Sequence, residues 1–156
     1  MGSSYDACYP AVNDLAGRGV PALLVDSAEL LHFRRAILGP DTLLVIVSQS
    51  GESAEIVKLA KEIERQKRRP FLVSVTNGTQ NDLARAADVR LDTAAGPESG
   101  PSTVTFSAAM ATLSGLARLL AGDGVATAVS ASLDRPSGVQ AFGVRADRRF
   151  RQKEYY

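Results

Sequence analysis

TLLVIVSQSGESAEIVKLAKEIERQKRRPFLVSVT, running from Thr42 to Thr76, is the stretch from which the fold follows. Its two ends, Thr42 to Val47 and Phe71 to Thr76, are compact apolar runs rich in β-branched residues and free of polar alternation, the pattern of strands covered on both faces. Between them Ala54, Ile56, Val57, Leu59, Ala60 and Ile63 recur at helical spacing, while Glu55, Lys58, Lys61, Glu62 and Glu64 take the opposite face. The spacing predicts an amphipathic helix over Glu52 to Gln66. A strand, a crossover helix and a second strand form a βαβ unit, which is right-handed with parallel strands in nearly all proteins. The class is therefore α/β.

Working outward, the alternation continues. Helices are expected at Tyr5 to Ala16, Ser27 to Phe33, Gln80 to Ala87 and Thr103 to Ala121, with shorter strands at Ala22 to Val25 and Val89 to Leu91. The last helix carries Ala108, Ala109, Met110, Leu113, Leu116, Ala117, Leu119 and Leu120 around more than one stripe, so wide burial is expected, in a core or a subunit contact. Met1 to Tyr5 reads as a strand-to-helix turn without its strand, which predicts a sheet short of its first strand. After Gly122 the pattern decays, and Arg145 to Tyr156 carries five basic and two acidic residues. The expected division is a domain over 1–122 and an irregular or disordered tail over 123–156.

Composition narrows the function. The 156 residues are 45% hydrophobic and 22% charged, as in an ordinary globular protein, with 18 basic against 17 acidic side chains. A net charge of +1 supplies no broad field for nucleic acid or an anionic membrane, so any anion must be held locally. One cysteine, Cys8, and one histidine, His32, exclude a Cys/His zinc cluster; no metal or other cofactor is expected, and a reducing cytoplasm suits the lone thiol. The longest apolar run, Leu43 to Val47, is far below the roughly 20 residues of a membrane span.

The segment Ser48-Gln49-Ser50-Gly51-Glu52-Ser53 lies where ligands of open α/β sheets bind, at the carboxyl end of a strand. Three hydroxyls and an amide converge there on a helix N-terminus, whose unpaired N–H groups favour an anion. The same residues also suit plain capping, with Ser50 as N-cap and Glu52 or Ser53 completing it. Thr76-Asn77-Gly78-Thr79 and Gly2-Ser3-Ser4 are hydroxyl-rich turns of similar character, fit either to face the same crevice or to serve as ordinary turns and caps. Asp6 and Asp82 read as partners of helix dipoles. His32 reads as a surface residue, and Glu98 either as a crevice carboxylate able to act as general base or as a cap.

Val45 to Ser53, VIVSQSGES, resembles the phosphosugar-binding turn of the sugar isomerase (SIS) domain family. Gly2-Ser3-Ser4-Tyr5 is similar to that family's first turn, Thr76-Asn77 with Ala87-Asp88 to its third strand and following helix, and Ala95-Gly96-Pro97-Glu98 with Ser102-Thr103 to the segment before its long helix. The resemblance implies a doubly wound parallel sheet that grips a sugar phosphate. Ser48, Gln49, Ser50 and Ser53 would contact the phosphate, and Ser4, Val75, Thr76 and Asn77 would line the sugar, with Glu98 as the candidate catalytic group. It further implies an aminosugar isomerase or deaminase system, as a truncated copy without the full catalytic set. A regulatory sugar-phosphate sensor and a self-sufficient ketose/aldose phosphate isomerase are the alternatives. The family's lysine after Ser-Thr is here Val104, and a homodimer or a missing second SIS domain is the implied partner.

Overall fold

In the computed structural model, residues 2–123 are described. Three strands, β1 (Leu43–Val47), β2 (Phe71–Thr76) and β3 (Val89–Asp92), form one parallel sheet in the order β1-β2-β3. Leu43 to Val47 pairs residue for residue with Phe71 to Val75, and Val73 to Thr76 pairs with Val89 to Asp92. The helices are α1 (Ser3–Asp6), α2 (Tyr9–Gly17), α3 (Ser27–Phe33), α4 (Ala54–Glu64), α5 (Asp82–Ala86) and α6 (Val104–Leu120), with a 3-10 turn at Arg35–Ile37. The tail expected over 123–156 lies, apart from Asp123, outside the described residues.

Because side chains alternate across a strand, β2 feeds two cores. Leu72 turns to one face, where Ile46, Leu30, Leu31, Ile56, Leu59, Ile63 and Leu83 bury α3, α4 and α5 against the sheet. Val73 and Val75 turn to the other face, where Ala11, Leu91, Leu113 and Ala117 bury α2 and α6. Every residue of β2 after Phe71 is buried, which is why this strand shows no polar alternation. The doubly wound arrangement follows from these two layers.

The differences from the sequence reading have local causes. Ala22 to Val25 joins no ladder; Leu23 is 65% exposed and only Val25 packs against a core. A short apolar run becomes a strand only when a neighbour offers it a hydrogen-bonding edge, and none does so here among the described residues. The helix expected over Tyr5 to Ala16 is two helices. Pro10 stands at the start of α2, where its missing N–H is tolerated, and the chain breaks at Ala7 and Cys8 before it. In α6 one stripe, Thr105, Ala109, Leu113 and Ala117, is buried, with β2 and α2 packed on the helix, while Leu120 is 37% exposed. Leu113, one of the residues expected in a core or a subunit contact, is 5% exposed and lies in this core, with Leu116 packed beside it.

Candidate functional site

The carboxyl ends of the strands are joined to one another beyond the sheet. Ser48 N donates to Val75 O at 3.0 Å, Asn77 N to Gln49 O at 3.0 Å, and Thr93 N to Thr76 O at 2.9 Å. Leu83 N adds a bond to Gly51 O at 3.2 Å. These bonds set three turns side by side, and a pocket opens between them. It is lined by Ser3 and Ser4 from α1, Val47, Ser48 and Gln49 at the end of β1, Val75, Thr76 and Asn77 at the end of β2, Thr93, and Thr105, Phe106 and Ala109 of α6.

The turn after β1 owes its shape to Gly51. Its φ is +66°, a left-handed conformation that L side chains avoid, and a Cβ there would lie 2.1 Å from Asn81 Oδ1. Asn81 is 5% exposed; its Oδ1 accepts from Ala84 N as the cap of α5, and its Nδ2 donates to Gly78 O. Ser48 Oγ accepts from Gly51 N at 3.1 Å, and Ser50 Oγ accepts from Glu52 N at 3.2 Å, so both hydroxyls help fold the turn. Ser53 is the N-cap of α4, yet its side chain makes no capping bond. The capping alternative expected Ser50 in that position. Instead the hydroxyl at the helix entrance is exposed and uncommitted, beside N–H groups that an α-helix leaves unpaired.

The opposite wall is rigidly pinned. Thr76 is 1% exposed and its Oγ1 donates to Gly78 O at 2.7 Å. Asn77 Nδ2 donates to Gly96 O at 2.7 Å while Oδ1 accepts from Ala95 N at 3.1 Å, fixing the chain that leads from β3 toward α6. Glu98 grips the start of α6: its carboxylate accepts from Thr103 N at 2.9 Å, Val104 N at 2.8 Å and Thr105 N at 3.3 Å, and from the hydroxyls of Thr103 and Thr105. The Thr105 hydroxyl above all, then the Thr103 and Val104 amides, lower its pKa to about 2.

The structure thus brings Ser4, Ser48, Gln49, Val75, Thr76 and Asn77 to one pocket, while Ser50 and Ser53 belong to the same turn without lining it. Glu98 does not line the pocket but holds the helix whose Thr105 and Phe106 do. Val104 is 57% exposed at the first position of α6. His32 is exposed in α3 and takes no part in the pocket; Asp82 lies in the first turn of α5, paired with Arg85. Sequence reading missed Asn81, Thr93, Thr105 and Phe106, and quoted Ser102 within a motif without giving it a role. Only Asn81 carried a signal, as an Asn just before a helix.

The SIS domain model matches residues 1–119. The chain belongs to the SIS domain family. Among its relatives, an arabinose 5-phosphate isomerase of Pseudomonas aeruginosa is 35% identical over 101 residues, which cover 65% of this SIS chain and 30% of the isomerase. The isomerizing glutamine–fructose-6-phosphate aminotransferase of Mycobacterium bovis is 40% identical over 88 residues, covering 56% of this chain and 14% of that enzyme. The SIS chain therefore spans less than a third of the length of these curated relatives. A phosphosugar isomerase fold from Bacteroides fragilis superposes with a TM-score of 0.66 at 20% identity, covering 83% of this chain and 71% of that one. The NanR protein of Vibrio vulnificus, solved in complex with ManNAc-6P, has a TM-score of 0.53 at 20% identity, covering 86% and 46%. No helix among the described residues is long and apolar enough to cross a membrane.

Proposed function

We propose that this SIS domain binds a sugar phosphate, with the phosphate at the Ser48–Ser53 turn and the sugar against Ser4, Val75, Thr76 and Asn77. The observation that carries the reading is the uncommitted Ser53 hydroxyl at the entrance of α4, in a turn whose other hydroxyls and glycine are already used to fix its shape. A relative that isomerises arabinose 5-phosphate and a structural neighbour solved with ManNAc-6P support the ligand class. Binding rather than turnover is the reading for this chain. A general base works best with a pKa near the operating pH, and Glu98, held near 2, is ionised but a weak proton acceptor.

Thermal unfolding tests it. Fructose 6-phosphate at 100 times Kd adds about 2.7 kcal/mol of stability, several degrees in Tm, and unphosphorylated fructose adds far less. Equal shifts from both sugars refute a phosphate clamp. The proposal extends to a homodimer in the cytoplasm. Helix α1 touches α6, and Tyr5, Tyr9 and Val104, exposed by 37%, 61% and 57%, are large hydrophobic side chains outside both cores that a second copy would cover. Light scattering over a concentration series decides this: a monomer at high concentration removes the dimer.

A further inference from the structure

The chain from β3 to α6 runs along the rim of the pocket, pinned near its start by Asn77 and near its end by Glu98. A third contact differs in kind. Ser102 Oγ donates to Gln49 Oε1 at 3.2 Å, joining two residues 53 positions apart. It ties the rim to the very turn that would hold the phosphate. An amide has an acceptor end and a donor end, and with the Gln49 amide in the assigned orientation this bond occupies the acceptor. Gln49 Nε2 keeps both hydrogens, with no protein acceptor among the described residues.

We propose that Ser102 is a positioning residue for an anionic ligand: by engaging Oε1 it orients the Gln49 amide so that Nε2 is the end offered to a phosphate oxygen. Without Ser102 the amide is free to turn either end to the site, and a carbonyl oxygen beside a phosphate repels it. The same bond makes ligand and rim interdependent. A phosphate held by Nε2 fixes Gln49, and a fixed Gln49 holds Ser102 and the residues around it. The inference rests on the phosphate-binding reading, since it needs an anion at the Ser48–Ser53 turn.

The test compares the full chain with Ser102→Ala, Ser102→Thr and Ser53→Ala, using fructose 6-phosphate and inorganic phosphate as probes. Affinities come from calorimetry, and the order of the rim from hydrogen exchange of peptides covering 93–103 with and without ligand. Loss of one neutral hydrogen bond predicts an affinity about threefold to tenfold lower in Ser102→Ala for both probes. Exchange around residue 102 rises in the free variant and is no longer slowed by ligand, and Ser102→Thr, which keeps the hydroxyl, restores both properties. Unchanged affinity in Ser102→Ala overturns the proposal, as does a threonine that fails to rescue. If Ser53→Ala weakens binding and Ser102→Ala does not, the phosphate site stands and the positioning role falls. If the unaltered chain binds neither probe, the phosphate reading fails first.

Discussion

Replacing Gly51 by alanine probes the bond between the candidate phosphate turn and the rest of the sheet. Three costs follow from the geometry. A non-glycine residue at φ +66° is strained by roughly 1–2 kcal/mol. The new Cβ, 2.1 Å from Asn81 Oδ1, displaces that side chain from Ala84 N, a cap worth about 1 kcal/mol. The same displacement breaks the bond from Asn81 Nδ2 to Gly78 O, about 1 kcal/mol more. Together they give about 3–4 kcal/mol, or on the order of 10–20 °C in Tm for a domain of this size. Gly78→Ala is the control. Its φ is +89° but nothing lies within 4 Å of a Cβ there, so strain alone applies, about 1–2 kcal/mol. Denaturant midpoints of the two variants, with Asn81→Ala and the Gly51→Ala/Asn81→Ala double variant, separate strain from collision. Removing Asn81 first leaves Gly51→Ala little to displace, so the double variant falls short of additivity. Equal losses in Gly51→Ala and Gly78→Ala, or strict additivity in the double variant, would refute the reasoning.

Ser53→Ala is expected to weaken sugar-phosphate binding by about 1.5–3 kcal/mol, the value of a hydrogen bond to a charged acceptor, while stability changes by less than about 0.5 kcal/mol. A loss of stability without a loss of affinity in calorimetry and denaturation would return this serine to a capping role. Glu98 predicts an acid response. Its folded pKa of about 2 lies below the ordinary value of 4.5, so its support for α6 is complete above about 4.5 and is lost as pH falls through 2. The amide resonances of Thr103, Val104 and Thr105 should titrate with a midpoint near 2 and lie flat in Glu98→Gln; a midpoint near 4.5 would show that the carboxylate does not grip the helix.

What could be read from the sequence follows how local each signal is. Strands β1 and β2 and helix α4 declare themselves because β2 is buried almost throughout, the half-buried β1 packs against both cores, and the helix between them has one apolar face. Ala22 to Val25 misled because an apolar run states only that burial is wanted, not that a pairing edge exists. The Ser48–Ser53 turn was visible as a motif, but not the division of labour within it. That Ser48 and Ser50 shape the turn while Ser53 stays uncommitted depends on dihedral angles that the serines themselves do not encode. Glu98 was legible as important and ambiguous in role. Five donors from Thr103 to Thr105 decide it, and they converge only once the intervening residues fold back. The link from Gln49 to Ser102 spans two loops and had no sequence signature.

The hydrogen bonds that continue past the strand ends, from Ser48 to Val75, Asn77 to Gln49 and Thr93 to Thr76, carry a kinetic consequence. Loops at the mouth of a sheet commonly spend part of a ligand's binding energy on being ordered, at about 1–2 kcal/mol for each residue whose backbone must be fixed. Here the ladder already fixes Ser48, Gln49, Asn77 and Thr93, and leaves the rim toward Ser102 to the ligand. On the proposed reading, an arriving anion would meet donors that are waiting rather than folding, so its capture would be limited by encounter, and selectivity among similar anions would reside in how slowly each one leaves.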